Sequence, residues 1–129
     1  MQGYLLDTNA LIWLSLDKLL GPESKQKIQN SPRVYVSALS ILELQIKHAS
    51  GKLRAAPKVV ASLGAMQISE LPLSVSDVAG YKIFDPANHD PFDNALISIA
   101  KTNKLVLVTS DRSILSLPGT IVQTLDARR

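Results

Sequence analysis

The sequence predicts an α/β domain built on a parallel sheet that is covered on both faces. Two observations carry this prediction. Short runs that are apolar almost throughout alternate with segments of helical period. Strands buried on both faces read in that continuous way, and the alternation is that of parallel sheets with helical crossovers. The length of 129 residues, with 46% hydrophobic and 19% charged residues, suits a single domain over 1–129 and excludes disorder of the whole chain.

"GYLLD" is a short buried strand, and "TNALIWLSL" after it takes a helical period. "GPESKQKIQN" is a second helix, with Pro22 at the first position, where a missing N–H costs nothing. "RVYVS" is a short β-branched strand, and "SALSILELQIKHASGKL" returns to helical spacing with Gly51 as its C-cap. "PKVVASLGAMQ" reads as a helix, "SELPLS" as a brief strand or extended segment, and "VSDVAGYKIF" as a helix. "DPANHD" is turn-rich. In "PFDNALISIAKTN" the residues Phe92, Ala95, Leu96, Ile99 and Ala100 follow helical spacing and form a core stripe. "KLVLVTS" is a strand, and "TIVQTL" a last short one.

The net charge of +3, with pI ≈ 9.3, permits a nucleic-acid partner without requiring one. The chain has no Cys, which removes thiolate and disulfide chemistry and suits a reducing, cytoplasmic setting. The apolar start "MQGYLLDTNALIWLSL" is interrupted by Asp7 and Asn9 and preceded by no basic segment. Neither a signal peptide nor a membrane-spanning helix is therefore expected.

Four acids fall where the crevice of an open parallel sheet forms, beyond the carboxyl ends of the strands. Asp7 ends the first strand, Asp111 follows "LVLVTS", Glu43 lies in the first turns after "RVYVS", and Asp93 lies in the first turn of its helix. Each also has a local explanation. Asp7 can cap a helix, Asp111 can open a turn, and Ser40 with Glu43 has capping-box spacing. If that helix begins nearer Ser37, Glu43 sits too far along to cap and projects sideways. Asp90 precedes Pro91 and is the natural N-cap, which puts Asp93 at the third helical position. Four independent caps need no shared location, whereas a hard cation such as Mg²⁺ or Mn²⁺ needs several oxygens in one place. Carboxylates crowded together without a cation repel, and some take up protons. Asn9 and Ser110 can add neutral oxygens, or serve only as turn residues.

The blocks "LLDTNALIWL", "YVSALSILELQIKHASGKL", "HDPFDNALISIA" and "LVTSD" resemble, in order and spacing, the PIN-domain ribonucleases. The likeness is greatest to the toxin components of VapBC-type toxin–antitoxin pairs, and it runs from Leu5 to about Asp111. It implies a small three-layer α/β/α sandwich and a metal-dependent endonuclease that hydrolyses RNA with a metal-activated water. Asp7, Glu43, Asp93 and Asp111 match the acidic positions of the family and would be its Mg²⁺ or Mn²⁺ ligands. Lys47, one turn beyond Glu43, would approach a phosphate or form an i,i+4 ion pair. Two departures stand out: Asn94 stands where relatives often carry Arg, and His89 is one residue closer to the following Asp than is common. The first puts in doubt a phosphate or partner contact from that position, and His89 is a poor candidate catalyst.

The resemblance also implies an RNA substrate, a cognate antitoxin and a homodimer, for which "IWL" and "VVASLGAM" offer apolar surface. "KHASGKLRAAPK" supplies Lys47, Lys52, Arg54 and Lys58 for phosphate contacts, or is a solvated helix end. A catalytically silent RNA- or protein-binding domain is the alternative. A phosphate-receiver domain is excluded by the lack of a late Lys-Pro pair. A phosphatase with an aspartate nucleophile is excluded because Asn9 fills the second place of its Asp-x-Asp motif.

Overall fold

The computed structural model describes residues 2–129. Five parallel strands form one sheet: β1 (Tyr4–Leu6), β2 (Val34–Ser37), β3 (Ser69–Leu71), β4 (Val106–Thr109) and β5 (Thr124–Asp126). Their spatial order is β3-β2-β1-β4-β5. The chain winds outward from β1 to β3 on one side, then crosses to β4 on the other. β1 and β4 therefore flank the point where the strand order reverses, with Leu6 in register with Val108.

Seven helices complete the layers: α1 (Thr8–Leu16), α2 (Pro22–Gln29), α3 (Ala38–Ala49), α4 (Ala56–Ala61), α5 (Val75–Ala79), α6 (Pro91–Thr102) and α7 (Arg112–Leu115). Successive strand residues point to opposite faces, so each strand feeds two cores. Leu6, Val36 and Val108 join Leu11, Ile28, Leu44 and Val59 on one face. Leu5 and Leu107 join Leu96, Ile97, Ile99 and Ile114 on the other. The result is the three-layer α/β/α sandwich.

The elements differ from the sequence expectations at several ends. The helix expected over "VSDVAGYKIF" stops at Ala79, because Gly80 ends it. The helix in "PKVVASLGAMQ" stops at Ala61 and gives way to turns. The last strand covers Thr124–Asp126, so only the end of "TIVQTL" is strand. In the stripe of α6, Phe92 and Ala95 are only half-buried, while Leu96, Ile99 and Ala100 are core. The short α7 replaces the turn expected at "SDRS". Gly51 has φ 77 and lies just beyond the α3 cap Ser50, a left-handed position where only glycine carries no steric cost.

Among the described residues, no helix is long and apolar enough to cross a membrane.

Candidate active site

Asp7 is the first residue after β1 and the N-cap of α1: its Oδ1 accepts the Ala10 N–H at 2.8 Å. Its own N–H donates to Val108 O at 3.0 Å, which ties it to the end of β4. Asp111 stands two residues beyond the end of β4. It caps α7, and its Oδ1 accepts from the Ser113 N–H at 2.8 Å and the Ser113 hydroxyl at 2.7 Å. Between them lies Thr109, fully buried, whose Oγ1 accepts the Asp111 N–H at 3.1 Å. For these two acids, capping and site membership are not alternatives: the cap holds the carboxylate over the strand ends.

α3 starts at Ala38 with Ser37 as its cap, the Ser37 Oγ accepting the Leu39 N–H at 3.1 Å. The Ser40–Glu43 capping box is therefore absent, and Ser40 is buried with its hydroxyl unpartnered. Glu43 instead reaches sideways, where one carboxylate oxygen accepts the Thr8 hydroxyl and the other lies 3.6 Å from Lys47 Nζ. Asp7, Thr8, Asn9, Glu43, Lys47 and Asp93 line one cleft of about 40 Å³.

α6 starts as the sequence predicts. Asp90 is the N-cap, and its Oδ1 accepts the Phe92 N–H at 2.8 Å and the Asp93 N–H at 3.1 Å. Asp93 does not reciprocate, because the Asp90 N–H donates to Asn88 Oδ1 at 3.0 Å. The Asp93 carboxylate turns to Asn88 Nδ2 at 3.1 Å, a group that also lies 3.5 Å from Asp111 Oδ2.

The electrostatics follow from this crowding. Burial pushes the Asp93 carboxyl from 3.8 up to about 6; the Asn88 hydrogen bond opposes the rise, and the charges of Asp90, Asp111 and Asp7 add to it. Burial also raises Asp7, against hydrogen bonds from Thr109 and Ala10, and the charges of Glu43 and Asp111 raise it further. Asp111 behaves oppositely. Burial pushes it up, but the hydrogen bonds from Ser113 and Ile114 outweigh that and hold it below its usual range. The hydrogen bonds to Asp111 thus favour its anion, while burial and neighbouring charge disfavour those of Asp7 and Asp93.

Oxygen donors without sulfur suit a hard divalent cation. Among the described residues, no three acids already form a ready cage for one ion. Glu43 faces Thr8 and Lys47 rather than the other acids. Mg²⁺ commonly keeps several waters and takes only one or two carboxylates directly, so the donor set fits it. A roomier cavity of about 420 Å³ lies at the amino end of β2, lined by Leu14, Ile28, Val34 and Met66. It carries one acid, Asp17, already paired with Lys25 at 2.6 Å. The acids thus line the smaller cleft, not the larger cavity.

The PIN-domain family profile matches residues 4–119. The chain belongs to the PIN-domain family. No curated protein gives a significant match. Among solved structures, this PIN domain is similar to DNA-bound VapBC from Salmonella typhimurium, with a TM-score of 0.71 and 20% identity over 98% of both chains. VapBC-1 from nontypeable Haemophilus influenzae gives 0.68 and 22%, again over 98% of both chains. VapBC-5 from Mycobacterium tuberculosis gives 0.67 and 16%, over 98% of this chain and 99% of that one. At these identities the likeness establishes the fold.

Of the auxiliary residues, Asn9 is exposed and lines the cleft, whereas Ser110 is half-buried and lies outside its lining. Lys47 forms the i,i+4 pair with Glu43. His89 is exposed, with its ring nitrogen 2.7 Å from Pro86 O. Thr8, Asn88, Thr109 and Ser113 support the acids and were not singled out from sequence. Asp-x-Ser at 111–113 was the one available signal, since that spacing lets a carboxylate take both Ser donors. Asn94 is buried and points inward: its Oδ1 accepts the Phe84 N–H at 3.0 Å, and its Nδ2 donates to Asn88 O at 2.8 Å and Asp90 O at 3.0 Å. Asn94 thus clamps the chain's own 84–90 loop.

Proposed function

We propose that this PIN domain is an endoribonuclease dependent on Mg²⁺ or Mn²⁺, and the toxin of a toxin–antitoxin pair. One observation carries the proposal: Asp7, Glu43, Asp93 and Asp111, from four separate elements, gather beyond the carboxyl ends of β1 and β4, where the strand order reverses. When bound there, a divalent cation supplies a Lewis acid for a phosphate oxygen and a water nucleophile near neutral pH. Asp7 and Asp111, held by their caps, would give such a cation two positioned carboxylates. Asp93 and Glu43 complete the anionic wall. Lys47 offers its ammonium to a phosphate at the cleft, and Lys52, Arg54 and Lys58 are exposed beyond it for backbone contacts with RNA.

The toxin assignment is supported by the neighbours, which are VapBC complexes. A cleft lined by several acids fits a basic side chain of an antitoxin that would occupy it. For the homodimer, the large apolar side chains of "IWL" and "VVASLGAM" are at most partly exposed, and more exposed ones stand elsewhere. Ile12, Trp13 and Leu14 pack on the core and Val59 is fully buried, whereas Leu42 and Ile46 of α3 are exposed, with Val75, Val78, Tyr81 and Ile83. We place the dimer contact on those side chains.

The test is cleavage of a single-stranded RNA with Mn²⁺, with EDTA, and with the Asp7→Ala variant. Cleavage lost in both controls is the expected result. Cleavage that survives Asp7→Ala would remove the nuclease assignment from this site and favour a silent binding domain with a contaminating activity.

A further inference from the structure

We infer that Asn88 is a positioning residue for the acidic site: its carboxamide bridges Asp93 and Asp111 and sets the spacing of that pair. The inference rests on the metal-site proposal above only for its consequence, not for the bridge itself.

An amide can be turned either way round, and here the surroundings fix the choice. Asn88 Oδ1 accepts the Asp90 N–H at 3.0 Å, so the oxygen faces the helix start. Nδ2 is then left facing three acceptors: Asp93 Oδ2 at 3.1 Å, Ser113 Oγ at 3.2 Å and Asp111 Oδ2 at 3.5 Å. A reversed amide would set its oxygen against two carboxylates and lose the Asp90 contact. Asn88 thus joins the start of α6 to the start of α7.

The bracket around it is built from the chain's own departures. Asn94 grips Asn88 O and Asp90 O with one amide group and the Phe84 N–H with the other. The Asp85–Asn88 bridge and the Ala87 N–H to Asp85 Oδ1 bond at 2.9 Å close the same loop. A loop fastened at both ends holds the Asn88 amide at a fixed place over the carboxylates. An arginine at 94 has no acceptor for the Phe84 N–H and could not make all three bonds. Outer partners of this kind orient the ligands of a metal site, and their loss commonly costs 10–100-fold in metal affinity or activity.

Asn88→Ser separates the bridge from the turn. The Ser hydroxyl can accept the Asp90 N–H as Asn does, but it is too short to reach Asp93 and Asp111. The expected result is Mn²⁺ binding, followed by electron paramagnetic resonance, that is about tenfold weaker than wild type, with a melting temperature within a few degrees of it. Mn²⁺ affinity equal to wild type in Asn88→Ser would overturn the inference and leave the metal site standing. Nuclear magnetic resonance of the metal-free protein gives the second arm. The Asn88 side-chain amide signals should shift in Asp93→Asn and in Asp111→Asn, and signals unmoved in both would overturn the bridge. Failure of wild type to bind Mn²⁺ would sink the metal proposal, while the amide signals would still decide the bridge.

Discussion

Asp90 accepts the backbone N–H of Asp93 at 3.1 Å, so the first acid of the "DPFD" block sets where the second one stands. The two do different work from adjacent places. Asp90 is exposed and turned to the helix start, while the Asp93 carboxylate faces Asn88 and the cleft.

This division predicts unlike consequences for like substitutions. Asp90→Asn should keep much of the proposed ribonuclease activity, since Asn caps about as well as Asp, and Asp90→Ala should cost about 1 kcal/mol of stability. Asp93→Asn should lose most of the activity while remaining folded. Equal losses in Asp90→Asn and Asp93→Asn, measured as initial cleavage rates, would contradict the division.

Asp93 also makes a pH prediction with a definite sign. Its carboxyl stands at about 6 in the folded chain against 3.8 ordinarily, so between those values the folded state holds more protons than the unfolded. Stability from this group is complete below about 4 and is lost as pH rises through about 6. Asp7 has the same sign, and Asp111, held low, the opposite one. Asp93→Asn should therefore melt higher than wild type near pH 7.5 and match it near pH 4. Mg²⁺ at millimolar concentration should recover part of that difference in wild type at pH 7.5. A variant that melts lower than wild type at pH 7.5 would contradict the crowded-acid account.

Asn94→Ala tests the loop clamp. It leaves the Phe84 N–H and the Asn88 carbonyl without their amide partner in a half-buried place, while Asp90 O keeps the residue-94 N–H, and the loss should be about 1–3 kcal/mol in urea unfolding. A change under about 0.5 kcal/mol would mean that solvent replaces the amide without cost.

Lys47 is in position for two roles, which salt distinguishes. Its pair with Glu43 is partly solvated, so Lys47→Met should change stability by under about 1 kcal/mol. If the ammonium also meets a phosphate, the same change should weaken RNA binding and lower the slope of log affinity against log salt by about 1. An unchanged slope would leave Lys47 with the ion pair alone.

Much of the fold was legible because its determinants are local. Continuous apolar runs marked the strands, and Pro22, Asp90 before Pro91 and Gly51 marked helix ends, since each acts on its own backbone. The errors came where tertiary packing decides. "VSDVAGYKIF" has helical composition, yet α5 ends where Gly80 lies against Ser98 of α6: a Cβ there would come within 2.9 Å of the Ser98 hydroxyl. The acids were legible as a set because strand ends and helix starts place them. Asn88 and Thr109 were not, because each is an ordinary turn or strand residue in sequence. Only the register of β1 against β4, and the fold-back of the 84–90 loop, brings them to the carboxylates. Glu43 shows the middle case: its role depended on whether α3 began at Ser37 or nearer Ser40, one turn that sequence left open.

The place where a divalent metal binds is the most direct test of the cleft. Crystals soaked in millimolar MnCl₂ and measured at the manganese absorption edge should show an anomalous peak beyond the carboxyl ends of β1 and β4, contacting Asp7 and at least one of Asp93 and Asp111. That peak should vanish in Asp7→Ala. No peak between those acids, or an equal one in the variant, would contradict the assignment of this cleft as the metal site.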